Sequence, residues 1–275
     1  MTELQKSLLQ ILEWFHNFCK KEKLRYYVIG GTFIGAVRHK GFIPWDDDAD
    51  VAMPRRDYEK MLQIFRERKN HKIDQYILET IDSDAPDFFY TFGKLYDTST
   101  TMTEKTRTNC RRGLYLDIFP LDGVGNTMEE SQKYFKAIDR KNMFLMTRIC
   151  AIEKRRSAYK NAAILVSRLI PSFIVNDKKL AREIDNMCRE KDFDKCKYVC
   201  NCSSTYRSRE IIERRLLGTP TEYEFEGITV MGPERYDEYL THIFGDWRKL
   251  PPKEKQVAHH DFIELDLHKS WLDGK

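Results

Sequence analysis

Four carboxylates stand within five residues, Asp46-Asp47-Asp48-Ala49-Asp50, between the apolar neighbours Trp45, Val51 and Met53. Burying such a cluster is costly unless a cation neutralises it. Read as a strand from Asp46 to Met53, a period of two sets Asp46, Asp48 and Asp50 on one face and Asp47, Ala49 and Val51 on the other. Carboxylates converging on one face are hard oxygen ligands of the kind that suit Mg2+ or Mn2+, with water and substrate phosphate completing the shell. Asp47 points the other way in this register and is the weaker ligand candidate. The competing reading, a solvated acidic turn, fits poorly with Trp45, Val51 and Met53, which mark a half-buried strand.

Upstream, Tyr26-Tyr27-Val28-Ile29 is a β-rich run that ends at Gly30-Gly31, with Thr32 placed as N-cap of a short helix through Val37. Backbone amides at such a strand-to-helix turn approach phosphate closely. Gly30, Gly31 and Thr32 are therefore the candidate phosphate contacts. Arg38, His39, Lys40, Lys94 and Arg112 are cations near the motifs that could neutralise phosphate charge. A glycine pair alone usually marks only a turn. Sixteen residues after Thr32, however, the Asp48-Ala49-Asp50 pattern follows.

In this order of motifs, the run from Gly30 to Val51 resembles the signature of the LicD family of phosphotransferases, whose animal relatives include fukutin-related protein. That family belongs to the nucleotidyltransferase superfamily with the DNA polymerase beta type of core. Arg112 to Gly123 is similar to the family's second block, which supplies a further Asp, here Asp117. Phe244-Gly245-Asp246-Trp247, Pro251-Pro252 and His259-His260 resemble its C-terminal block, so the likeness runs from about residue 26 to 260.

The resemblance implies an α+β fold, a mixed sheet of nucleotidyltransferase type with flanking helices and an added helical section. One domain over 1–275 is expected, with a catalytic core over 1–125, a mainly helical section over 126–200 and a C-terminal section over 201–275 completing the site. The implied reaction moves a phospho-alcohol, above all phosphocholine, from a CDP-linked donor such as CDP-choline to a sugar hydroxyl of a surface glycan or its lipid-linked precursor, with release of CMP. Asp48 and Asp50 would hold Mg2+ or Mn2+ at the donor phosphates. Asp117 would complete the coordination or take the acceptor's proton, and Asp46 would be a further ligand. Aromatic faces suited to a quaternary ammonium are offered by Tyr90, Phe92, Tyr96, Tyr115 and Trp247.

Composition agrees with an ordinary globular enzyme. The 275 residues are 41% hydrophobic and 33% charged, with a net charge of +4. That mild positive balance fits anionic substrates and falls short of a dedicated nucleic-acid binder. No N-terminal apolar region precedes a small-residue cleavage site, and the seven cysteines are an odd number, so a reducing cytoplasm is expected. Cys188, Cys196, Cys200 and Cys202 lie close in sequence, but their spacing matches no standard zinc ribbon or finger, and Tyr198 to Cys202 alternates like a strand with buried thiols.

The elements that must carry these groups follow from periodicity. Leu4 to Lys23 is an amphipathic helix, Arg25 to Ile29 a strand, and Pro54 to Arg68 a helix with Tyr58, Met61, Leu62 and Phe65 inward. Ile77 to Thr80, Phe88 to Leu95 and Leu114 to Phe119 are strands, with a hairpin or loop over Thr98 to Asn109. Glu129 to Lys160 is helical with Tyr134, Phe135, Ile138, Met143, Leu145 and Ile149 inward, and the tail from Tyr223 offers a strand pair and a helix ending near Gly245. Ala162 to Val175 is the most apolar window, too short to span a bilayer, and is placed as a buried core helix; Lys154, Arg155, Arg156 and Lys160 before it offer peripheral contact with an anionic membrane face as the alternative. Two other functions compete with the transferase: nucleotidyl transfer to a small molecule or RNA, and a catalytically silent membrane-surface adaptor.

Overall fold

The computed structural model describes residues 1–152, 156–258, 260 and 262–273. Helix α1 (Glu3–Glu22) opens with a capping box, in which the Thr2 hydroxyl accepts from the Gln5 N–H and the Gln5 side chain accepts from the Thr2 N–H. Its stripe of Leu8, Ile11, Leu12, Phe15 and Cys19 is buried, as its spacing predicts. Then come β1 (Tyr27–Val28), α2 (Gly30–His39) and β2 (Asp50–Pro54). Pro54 closes β2 and caps α3 (Arg55–Arg66), so that helix begins one residue later than its sequence suggests. Tyr58, Met61, Leu62 and Phe65 form its inner face.

The strands β3 (Lys72–Ile73), β4 (Tyr76–Glu79), β5 (Gly93–Asp97), β6 (Thr101–Glu104), β7 (Cys110–Arg112) and β8 (Tyr115–Gly125) follow. The main sheet runs β1-β2-β8-β5-β4-β3. Its β2–β8 pair is parallel and the other pairs are antiparallel, which makes it a mixed sheet in an α+β protein. Phe88 to Phe92 does not join this sheet as expected. Its rings pack edge-on or tilted against one another and on Phe119 instead, with Phe92 and Phe119 centroids 4.3 Å apart, and β5 begins only at Gly93. The Thr-rich stretch is a hairpin of β6 and β7.

Beyond β8 the chain forms α4 (Met128–Ile149), α5 (Ala158–Arg168) and α6 (Asp177–Arg189). Phe135, Ile138, Leu145 and Ile149 of α4 pack with Ala181, Ile184 and Cys188 of α6 in a second core. Met143, expected inward, is 47% exposed because it falls on the opposite side of α4 from that stripe. The buried core helix expected over 162–175 is also absent: α5 buries only Ile164 and Ser167. Strands β9 (Tyr198–Cys200) and β10 (Ile212–Glu213) extend the far end of β8. A hairpin of β11 (Thr221–Phe225) and β12 (Ile228–Gly232), helix α7 (Tyr236–Phe244) and β13 (Phe262–Asp266), which pairs with β6, complete the described chain. Among the described residues no helix is long and apolar enough to cross a membrane.

Candidate active site

The acidic run enters β2 as an extended segment, and regular pairing starts only at Asp50. The alternation nevertheless holds, with Asp47, Ala49 and Val51 buried and Asp46, Asp48 and Asp50 only partly covered. Parallel pairing sets Asp50 beside Asp117, and the Asp117 N–H donates to the Ala49 carbonyl at 3.2 Å. The segment is clamped from both sides. Gln5 Nε2 donates to the Ile43 and Asp46 carbonyls at 3.3 and 3.0 Å, and the Asp50 N–H donates to Thr32 Oγ1 at 2.9 Å.

The start of α2 lies directly against these carboxylates. Gly30 has φ +60°, and a Cβ there would come within 3.0 Å of Asp50 Oδ2; on Gly31 it would come within 2.6 Å of Asp46 Oδ2. Only glycine permits that approach without displacing a carboxylate. Thr32 is not the N-cap its sequence suggests. Ile29 holds that position, and Thr32 sits buried in the first turn with its hydroxyl accepting from Asp50, so it positions a carboxylate.

Electrostatically the site is frustrated. One oxygen each of Asp46, Asp47 and Asp48 lie within 4.8 Å of one another. Among the described residues Asp46 Oδ2 and Glu104 Oε2 are buried with no hydrogen-bond partner, and Asp117 Oδ1 has the Lys94 ammonium at 3.1 Å. Burial, then the Asp48 and Asp47 charges, push Asp46 up to about 8. Burial with the Asp48 and Asp117 charges drives Asp50 well above the usual carboxylate range. Asp117 is raised to about 6 by burial, against the pull of Lys94. Burial would discharge Lys94, yet Asp117 and Glu104 hold it firmly protonated, and its ammonium lies 3.4 Å from the Tyr115 ring centroid. Orphaned hard oxygens that repel one another form a donor set that a divalent cation would satisfy.

Of the expected phosphate-neutralising cations, Lys94 alone lies within this cluster. Arg38, His39 and Lys40 lie at the opposite end of α2, about 12 Å from Gly31 by the helical rise. There Arg38 donates to the Trp247 carbonyl at 2.7 Å and Lys40 pairs with Glu224 at 3.0 Å. Arg112 pairs with Glu79 and Asp87 and stacks on Trp271. The aromatic candidates divide too: Tyr90, Phe92 and Tyr115 surround the Lys94 ammonium, Tyr96 is fully buried, and Trp247 stands beside Asp237 near Arg38.

His260, which the sequence offers only as part of a C-terminal block, reaches the acidic run. Its N–H donates to Asp47 Oδ2 at 2.9 Å, its Nδ1 bonds Asp47 Oδ1 at 3.0 Å, and its Nε2 lies 3.8 Å from Asp48 Oδ2. The bond to Asp47 and the Asp48 charge raise it to about 8 against burial. His259 lies outside the described residues. Gln5 and Glu104 gave no local signal at all. Glu104, Tyr115, His260, Tyr90 and Phe262 together line a cavity of about 240 Å³ beside the carboxylates.

The cysteines are not a four-thiol site. Cys188 and Cys200 hydrogen-bond to Cys202, which with Asp122 and Cys188 reaches ligand spacing, but both Asp122 oxygens accept from Arg55 at 2.7 Å and Cys196 lies apart beside Gly123. The bond to Cys202 and burial push the Cys188 thiol well up.

Residues 23–149, which carry the Gly-Gly helix, Asp46 to Asp50 and Asp117, match the family model described as LicD/FKTN/FKRP, nucleotidyltransferase domain. The chain is 30% identical over 265 residues to the lipopolysaccharide cholinephosphotransferase LicD of Haemophilus influenzae (strain ATCC 51907 / DSM 11121 / KW20 / Rd), covering 94% of this chain and 96% of that one. It is 40% identical over 58 residues to an uncharacterised protein of Rickettsia prowazekii (strain Madrid E), or 21% of this chain and 22% of that one. The chain belongs to the LicD family and is a phosphotransferase.

Proposed function

We propose that the protein transfers phosphocholine from CDP-choline to a sugar hydroxyl of a surface glycan of the lipopolysaccharide type, releasing CMP, in the cytoplasm. Its near full-length likeness to a lipopolysaccharide cholinephosphotransferase supports the group and the acceptor class. The observation that carries the chemistry is the orphaned Asp46 Oδ2 packed against Gly31, next to Asp50 Oδ2 against Gly30. We read the core as a nucleotidyltransferase-type sheet, with Asp46, Asp48 and Asp50 as the residues that would hold Mg2+ or Mn2+ and Asp117 beside them as the base. Bound there, the cation supplies charge neutralisation of the donor phosphates and of the departing CMP.

The remaining work falls to the chain. The acceptor oxygen attacks phosphorus, the bond from phosphorus to the CMP oxygen breaks, and the hydroxyl proton passes to Asp117, which burial raises to about 6 while Lys94 favours its ionised, proton-accepting form. The amides at the start of α2 face the phosphates, and the cation charge of Lys94 keeps Asp117 in place. His260 and Gln5 fix the acidic segment, so little reorganisation accompanies transfer.

The test is a panel of CDP-alcohols with Mg2+ or Mn2+ and a delipidated core oligosaccharide, with CMP release and phosphocholine on the sugar as joint readouts. CMP left attached to the acceptor would favour nucleotidyl transfer instead, and no release from any donor would leave the silent adaptor.

A further inference from the structure

Helix α5 and the turn after it hold apolar side chains out into solvent. Phe173 is 87% exposed, Leu169 79%, Tyr159 72% and Val166 63%. Tyr159, Ala162, Ala163, Val166 and Leu169 recur at helical spacing, so they form one continuous face, opposite the buried Ile164 and Ser167. Monomeric proteins seldom leave such a face uncovered.

The face is built rather than frayed. Arg148, itself buried, donates from Nη1 to the Ser167 and Ile170 carbonyls at 2.6 and 3.3 Å, from Nη2 to the Val175 carbonyl at 3.3 Å, and from Nε to Asp177. A buried guanidinium therefore fixes the backbone that points these side chains outward.

Charge selects the occupant. Residues 156–175 contain Arg156, Lys160 and Arg168 and no carboxylate. The exposed face of α4 that leads to Met143 and Phe144 carries Lys133, Lys136 and Arg140. A second copy of this surface would set cations against cations, whereas an acidic lipid surface complements them and takes up the rings and aliphatic chains. Cys150, Ala151 and Arg156, which lead into α5, also line the cavity shared by Tyr115 and His260.

We propose that α5 and the 169–174 turn seat the protein on an anionic bilayer surface, bringing that cavity beside the headgroups. This rests on the helical section and not on the transfer reaction. The basic residues Lys154 and Arg155 lie outside the described residues and are not needed for it. The test is co-sedimentation of the full chain with phosphatidylcholine vesicles with and without phosphatidylglycerol, at low and high salt, for the wild type, for Leu169→Glu with Phe173→Glu, and for Lys160→Glu. Sedimentation velocity without lipid runs alongside. Both altered apolar positions are solvent-exposed, so the double variant should fold and release CMP with a delipidated acceptor as the wild type does. The expected result is recovery with anionic vesicles at low salt that falls at least about tenfold in neutral vesicles, in high salt or in the double variant, with a smaller loss in Lys160→Glu. Equal recovery in every arm overturns the proposal. So does a lipid-free dimer that the double variant dissolves, which would give the face to a second copy.

Discussion

Asp117 and Asp122 lie five residues apart on β8, on opposite faces of the sheet by alternation, and their surroundings differ in kind. Both Asp122 oxygens accept from Arg55 at 2.7 Å, and Arg55 reaches on to Asp185 at 3.0 Å and Glu59 at 3.4 Å, joining β8, α3 and α6. Burial would lower Arg55, but Asp122 and Asp185 hold it well above its ordinary value. Around Asp117 the carboxylates outnumber the Lys94 cation, and among the described residues buried oxygens of Asp46 and Glu104 are left without partners. The satisfied cluster locks helices onto the sheet. The unsatisfied one is left for a ligand to neutralise, and such a site is where local rules are expected to be broken.

The largest effect expected from this contrast is on turnover. Asp48→Asn should lower CMP release by on the order of 10³-fold while the metal-free melting temperature holds or rises, because it relieves repulsion. Near wild-type activity would remove Asp48 from the catalytic set. Asp122→Asn should do the reverse: leaving Arg55 buried with a weakened partner costs about 3–5 kcal/mol in denaturant unfolding, with activity per folded molecule retained. Equal stability of the two variants would erase the distinction between the clusters.

A third buried carboxyl sharpens it. Glu210 has Ser204 Oγ as its hydrogen-bond donor at 2.7 Å, and burial raises it to about 7. A raised acid is favoured in its protonated form by the fold, so stability is fully present below the unfolded value near 4.5 and is lost as pH climbs to about 7. The Glu210 share of that loss should amount to at most about 3 kcal/mol and be missing from Glu210→Gln, while the raised Asp46, Asp50 and Asp117 carboxyls keep their own shares in both proteins. A pH-independent wild type across that window would count against it. The smallest effect concerns metal: Mg2+ or Mn2+ at a hundredfold excess over Kd should stabilise the wild type by about 2.7 kcal/mol. Asp122→Asn should gain as much and Asp48→Asn less; calorimetry showing no gain in the wild type would leave the orphaned oxygens without their ligand.

Much of the site was legible because its rules are local. Alternation gave the burial pattern from Asp46 to Val51, but it set Asp47 apart, whereas an Asp47 oxygen lies within 4.8 Å of oxygens of Asp46 and Asp48, because the run pairs as a strand only from Asp50. Gly30 and Gly31 announced a close approach, and the groups that approach them in the structure are the Asp50 and Asp46 carboxylates. The same locality misled where grouping by sequence stood in for distance, as with Arg38 to Lys40, which a helix carries away from Gly30.

By itself, then, the sequence determined the family, the amphipathic α1 and α3, the strand bearing Asp117 and the shared face of the acidic run, because each is written in spacings of a few residues. Only the tertiary structure decided that His260 would reach back 213 residues to Asp47, that Gln5 would hold Asp46, and that Lys94 and Glu104 would flank Asp117, since no period encodes a partner that far along the chain. It also decided the fate of α5. An apolar helical stripe states only that water is disfavoured, and whether the cover is the protein's own core is settled by packing, which here leaves Leu169 and Phe173 outside.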